Sequence, residues 1–185
     1  MVCEQVALDR RGIEMKVIFV RHGEPDYSEL EERSYTGFGL DLAPLSEQGR
    51  WQAQELCQHP LLRSADLLVS SAVTRALETA SYVACATGLP LRVEPLLHEW
   101  QVYEGGRENF EKARSLFLEN NGALLPHSPI QYETAEEMKA RFVDCMAKYR
   151  DYQTVVLVAH RMLIRQFVPD ETIDFCQVIE CEIEI

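Results

Sequence analysis

The sequence lacks any apolar run approaching the roughly 18 residues needed to cross a bilayer, and its first 14 residues lack the apolar core of a secretion signal. A soluble chain in the cytoplasm is therefore expected, with no membrane partner. Basic side chains are scarce: 18 Lys and Arg stand against 30 Asp and Glu, for a formal charge of −12. That deficit argues against an extended nucleic-acid footprint and against polybasic attachment to anionic lipid. The six cysteines (Cys3, Cys57, Cys85, Cys145, Cys176, Cys181) form neither a CxxC pair nor a metal-ligand spacing. They are read as reduced structural thiols, and no metal site is expected. Internal repeats, low-complexity tracts and Gly/Ser linkers are also missing.

What is present suits one buried core, since 46% of the 185 residues are apolar and the chain is short for two independent domains. Residues 1–14 show no clean period and are read as a flexible arm ahead of a domain spanning 15–185. From there short β-like runs alternate with longer helical ones, which predicts a single three-layer α/β domain with a mostly parallel central sheet and helices on both faces. Lys16–Val20, Asp66–Ser70 and Thr154–Ala159 read as buried strands, and Gln177–Ile185 as a strand near a sheet edge. Helices are predicted over Ser46–Gln58, Val73–Thr87, Arg107–Glu119 and Thr134–Tyr149. Ser46 is placed to cap its helix, and Thr134 with Glu137 has the spacing of a capping box.

Each of the three buried strands leads to basic side chains. VIFV runs into Arg21-His22, DLLVSS is followed by Arg75, and VVLVA runs into His160-Arg161. Ligands of open α/β sheets settle beyond the carboxyl ends of the strands, so parallel alignment would gather these segments in one crevice. Two imidazoles and at least two guanidiniums would then meet inside an acidic protein, a local charge suited to a phosphoryl group.

Four ordered segments carry a resemblance: RHGEP (Arg21–Pro25), LSEQGRWQA (Leu45–Ala53), SSAVTRALETA (Ser70–Ala80) and VAHRMLIR (Val158–Arg165). Together, over Lys16–Arg165, they resemble the histidine phosphatase superfamily, which includes phosphoglycerate mutases and many small phosphatases. The resemblance implies a phosphoglycerate mutase-like fold and metal-free, cofactor-free chemistry on a small phosphorylated substrate. It makes His22 the phosphoryl acceptor, attacking as the neutral imidazole while its other nitrogen donates to a backbone carbonyl. It makes Arg21 and Arg75 phosphate ligands and His160 a hydrogen-bonding partner of the transferring group. For Arg75 the competing reading is a salt bridge to Glu78 on its own helix.

The same resemblance assigns the leaving-group proton to a carboxylate after the middle of the chain. Glu99 in LLHEW matches that place, with Glu104 in VYEGG as the competitor; a neighbouring phosphate dianion would raise its pKa. Gly23 leaves the backbone open to phosphate or simply serves the turn. Ser28 falls where relatives carry a small polar residue that touches phosphate, and the segment Tyr35–Asp41, with Gly37, rims the pocket. His59, His98 and His127 read as surface residues.

One position departs from the pattern. Relatives usually place glycine after the second histidine, where this chain has Arg161. A cation at the start of a short helix opposes the macrodipole by about 0.3–1 kcal/mol, so Arg161 is read either as recognising a second anionic group on the substrate or as a solvated surface arginine. Arg165 shares its face four residues on. Between Glu99 and Thr134 the chain is too short for a large lid; an open pocket favours hydrolysis by a phosphomonoester phosphatase. A mutase and a weakly catalytic phospho-ligand binder are the alternatives.

Overall fold

The computed structural model describes residues 14–104, 106–168 and 172–185. Five strands form one sheet: β1 (Glu14–Arg21), β2 (Leu67–Ser71), β3 (Leu91–Glu94), β4 (Thr154–Ala159) and β5 (Val178–Glu184), in the order β3-β2-β4-β1-β5. The first four are mutually parallel, and β5 closes the edge antiparallel to β1. Around the sheet lie α1 (Ser28–Glu32), α2 (Glu47–Leu56), α3 (Thr74–Thr87), α4 (Arg107–Glu119), α5 (Ala135–Met146) and α6 (Arg161–Ile164).

The central strands are apolar on both faces because helices cover both. Val17, Phe19, Val69, Val155 and Leu157 face a core built with Phe117 of α4, Met138 and Phe142 of α5, and Leu163 of α6. Ile18, Val20, Leu68, Val156 and Val158 face the opposite core, made with Leu56 of α2 and Ala76, Ala80 and Val83 of α3. That alternation is what makes three layers from one sheet.

The predicted strands are found within a residue or two of their expected limits, and β4 coincides with its prediction. The capping box of α5 forms, with Glu137 N donating to Thr134 Oγ1 (3.2 Å) and Thr134 N donating to Glu137 Oε2 (2.7 Å). Gly49 N donates to Ser46 Oγ at 2.9 Å, the expected cap of α2. The helix expected over Thr134–Tyr149 ends at Met146, and its last turn tightens to 3-10 geometry over Ala147–Tyr149. Unforeseen elements are β3, only four residues long with one buried, and the single turn of α1. Residues 1–13 of the expected arm lie outside the described residues. Glu14 belongs to β1, where it pairs with Glu184.

Candidate active site

Because β2, β4 and β1 are adjacent and parallel, their carboxyl ends deliver Ser71, His160 and Arg21-His22 to one crevice. The backbone ladder carries over, with His22 N donating to Ala159 O at 3.1 Å. His22 is 4% exposed. Its Nδ1 lies 2.7 Å from Gly23 O, and Arg75 Nε donates to Nε2 at 3.3 Å. A carbonyl can only accept and a guanidinium only donate, so these contacts assign the neutral tautomer with its lone pair on Nε2. Burial, then Arg75 and Arg21, push His22 well below the ordinary imidazole pKa, against the opposing pull of Gly23 O.

His160 lies behind it, the two rings 5.1 Å apart at 59°. Its Nε2 pairs with Ser71 Oγ at 2.8 Å. Burial lowers its pKa well below the ordinary value, with Arg75 and His22 adding to the effect. Arg75, in the first turn of α3, is almost fully buried, with NH1 3.8 Å from Asp41 Oδ1. The competing salt bridge to Glu78 is not what the structure assembles: Glu78 accepts from Leu45 N (2.7 Å) and Arg50 Nε (2.8 Å) instead. Arg21 stacks its guanidinium 3.8 Å from the centroid of Phe175 and donates NH1 to Ile173 O at 2.6 Å.

Three buried polar atoms of this cluster, Arg21 Nε, Arg75 NH1 and His160 Nδ1, have no hydrogen-bond partner. Leaving a buried polar group unmade costs about 1–3 kcal/mol each, so the cluster is built to receive a ligand that pairs with cations.

Glu99 follows a 3-10 turn at Pro95–Leu97 and is partly buried, its Oε1 accepting from Trp100 N at 2.8 Å. Burial raises its pKa, against the lowering influence of Trp100 N–H, Arg75 and Arg21. The shift expected from a phosphate neighbour is thus already present in the fold. Glu104 is exposed. The loop carrying Glu99 is tied down by Glu133, which accepts from Arg141 NH2 (3.0 Å) and Gln101 N (3.3 Å) while its carbonyl accepts from Trp100 Nε1 (2.6 Å). His98, read from the sequence as a surface residue, is only partly exposed and faces Asp41 and His160.

Gly23 has a reason the sequence did not disclose. A Cβ there would fall 2.7 Å from Gly49 O, and one on Gly49 would fall 2.1 Å from Glu24 O, so the two glycines let α2 lie against the chain leaving β1. Gly23 N donates to Thr79 Oγ1 (3.0 Å), which donates to Arg75 O (2.8 Å) and so links the two phosphate-side segments. Ser28 is not brought to the cluster: it is exposed, and its hydroxyl donates to Asp26 Oδ1 at 2.6 Å. Gly37 opens an exposed 3-10 turn (Gly37–Leu42) with φ +56°. From that same turn comes Asp41, whose pKa burial raises against Arg75 and His98. Arg161 begins α6, half-buried beside the cluster, with Glu99 and Asp174 among its charged neighbours. Tyr27 also faces Arg75, Glu99, Asp41 and Arg21. Tyr27 and Phe175 lie outside the four quoted segments; Ser71 and Thr79 lie within SSAVTRALETA, but no role is assigned to them from the sequence.

The sheet order makes this an α/β protein with a histidine–arginine cluster at the carboxyl edge of its parallel strands. The sequence profile of the histidine phosphatase superfamily (branch 1) matches residues 17–170, and the chain belongs to that superfamily. It is 27% identical over 139 residues to a probable phosphoglycerate mutase GpmB of Photorhabdus laumondii, a match covering 71% of this chain and 63% of that protein. Over 156 residues it is 26% identical to the adenosylcobalamin/alpha-ribazole phosphatase of Escherichia coli K12, covering 80% of this chain and 74% of the relative. Among solved structures, mycobacterial glucosyl-3-phosphoglycerate phosphatase superposes with a TM-score of 0.59 at 27% identity, over 83% of this chain and 77% of that one. The chain thus spans just under two thirds of the length of the mutase relative.

Proposed function

We propose that the protein is a phosphomonoester phosphatase that works through a phosphohistidine on His22, needing no metal. The observation that carries this reading is a cluster in which Arg75 Nε reaches the Nε2 lone pair of His22 while buried Arg21 Nε, Arg75 NH1 and His160 Nδ1 have no hydrogen-bond partner. A phosphoryl group entering there takes the Arg75 hydrogen bonds and leaves Nε2 facing phosphorus. His22 Nε2 attacks, the ester P–O bond breaks, and Glu99, whose proton burial makes harder to lose, gives it to the departing alkoxide. Charge building on the non-bridging oxygens is met by the two guanidiniums and His160. Glu99, now a carboxylate, removes a proton from water, which attacks phosphorus and releases inorganic phosphate from His22.

Hydrolysis is favoured over mutase transfer by the use made of the chain between Glu99 and Thr134. Its one helix, α4, buries Ala113 and Phe117 in the core instead of roofing the cleft, which favours water access to the phosphoenzyme. Small phosphorylated metabolites are the substrate class, in keeping with the names of the relatives. The five cysteines among the described residues are all free, which suits a reducing compartment such as the cytoplasm.

The test is hydrolysis of p-nitrophenyl phosphate with EDTA present, by the wild-type chain and His22→Ala, with quenching in alkaline detergent to trap phosphoenzyme. Activity that survives EDTA, falls by about 10³-fold or more in the variant and leaves an acid-labile phosphoryl group on the wild type is expected. Equal activity in the two chains would refute the nucleophile assignment.

A further inference from the structure

We infer that Ser71 is a positioning residue: its hydroxyl donates to His160 Nε2, fixes the ring in the tautomer with its proton on Nδ1, and so makes a neutral imidazole a hydrogen-bond donor to the transferring phosphoryl group. The inference rests on the phosphatase reading above and adds to it the means by which His160 meets the phosphoryl charge.

Ser71 ends β2 and His160 follows β4, and the register of these parallel neighbours sets Ser70 opposite Val158, so the two side chains leave the sheet together. Neither is exposed at all. Every hydrogen and lone pair of the pair must therefore find its partner in the protein or in a ligand. Two groups contact Ser71 Oγ: Val73 N donates to it at 3.2 Å, and His160 Nε2 lies 2.8 Å away. A backbone N–H can only donate, so Val73 takes an oxygen lone pair and leaves the Ser71 proton to be placed. Among the described residues, His160 Nε2 is the one acceptor in hydrogen-bond contact with that hydroxyl.

The two neutral tautomers of His160 close this account differently. With the proton on Nε2, Ser71 Oγ accepts twice, its own buried proton is stranded, and Nδ1 presents a lone pair. With the proton on Nδ1, Ser71 donates, all of its hydroxyl is paired, and the one group left over is the Nδ1–H. That nitrogen is buried without a partner, on a ring whose centroid stands 5.1 Å from that of His22. A phosphoryl oxygen accepts from an N–H and is repelled by a lone pair. A doubly protonated ring would donate as well, but burial, with Arg75 and His22, holds the His160 pKa well below the ordinary value. The position of a single proton then decides whether this ring attracts the phosphoryl group or opposes it. The two histidines are set in complementary ways. Gly23 O, an acceptor, holds the Nδ1 proton of His22 and leaves the Nε2 lone pair to attack. Ser71, a donor, holds the Nε2 lone pair of His160 and leaves its Nδ1 proton to bind the group under attack.

Ser71 also supports Val73 at the head of α3, whose first turn carries Arg75, so the test must separate a route through His160 from one through that helix. Two-bond proton–nitrogen correlation spectra of the nitrogen-15-labelled chain at pH 7 read the tautomer, with the His160 signals identified by their loss in His160→Asn. Nδ1 resonating as a protonated ring nitrogen and Nε2 as an unprotonated one is expected; the reverse overturns the inference. In p-nitrophenyl phosphate hydrolysis, Ser71→Ala is expected to lower kcat by about 10–10²-fold while KM changes by less than about threefold. The same substitution placed in His160→Asn, whose amide needs no tautomer to donate, is expected to lower kcat by less than about twofold more. Equal factors in the two backgrounds would mean that Ser71 acts through the start of α3 and not through His160. A wild type inert toward every phosphomonoester is failure of the phosphatase reading instead. The spectrum needs neither turnover nor a folded Ser71→Ala, and it still decides the tautomer.

Discussion

At the residue scale the proposed mechanism turns on two groups with opposite protonation requirements. His22 must be neutral to attack, and burial with Arg75 and Arg21 lowers its pKa, so it stays neutral well into acid solution. Glu99 must carry a proton to give one away, and burial raises its pKa, so its protonated fraction persists above the usual carboxylate range. The sign of each shift widens the interval in which both conditions hold. For a substrate with a poor leaving group, kcat/KM is expected to fall as pH rises through the Glu99 pKa. Replacing Glu99 with Gln removes that alkaline limb and costs about 10²–10⁴-fold on alkyl phosphates, far less on p-nitrophenyl phosphate, whose leaving group needs no proton. A pH profile of Glu99→Gln that keeps the wild-type alkaline limb would exclude this carboxylate as the donor. Glu104→Gln, altering an exposed side chain, is expected to leave the profile where it is.

At the scale of elements, the strand ends and the supports behind them were unequally legible. The strands β1, β2 and β4 were readable because apolar runs buried on both faces are continuous, and the residues after them could be gathered by the rule that parallel strands end on one side. Arg21, His22, Arg75 and His160 were found that way. The short β3 and α1 offered too few residues for any period to register. Ser28 stood at a plausible spacing, but spacing along a chain does not reveal that Asp26 holds its hydroxyl. Least legible was the bracket behind Glu99, because Glu133 and Arg141 come from different segments and meet only in the fold. Their side chains are 6% and 10% exposed, so removing one partner strands the other charge. Arg141→Ala is expected to cost about 3–5 kcal/mol in urea unfolding and to lower activity through the Glu99 loop; a loss under about 1 kcal/mol would show that the bracket is not structural. Gly49→Ala tests a different support. Its Cβ would meet the Glu24 backbone at 2.1 Å, so α2 must shift, with an expected loss of about 1–3 kcal/mol.

For the whole molecule, the site imposes a pH dependence on folding. His22 and His160 are buried, and both have folded-state pKa values lowered well below the ordinary 6.5. An unfolded chain takes up protons on both as pH drops through about 6.5, while the folded chain does not. The unfolded state then binds more protons, so stability is fully present above that pH and is lost as pH falls below it, by about 1.4 kcal/mol per unit for each histidine. The acid surplus of the chain, −12 overall at pH 7, works the other way across this window, because protonating exposed carboxylates relieves self-repulsion. Two buried sites with a defined slope are separable from that diffuse background by substitution. Thermal melting of the wild type from pH 7 to pH 5 is expected to lose stability, and His160→Asn is expected to lose less of it over the same interval. Inorganic phosphate at about 100 times its dissociation constant should add about 2.7 kcal/mol at pH 7, because it offers hydrogen bonds to buried polar atoms of Arg21, Arg75 and His160 that have none within the protein. Parallel pH dependences for the wild type and His160→Asn would mean that this histidine takes up its proton as readily in the folded chain as in the unfolded one, and that its enclosure beside Ser71 does not hold in solution.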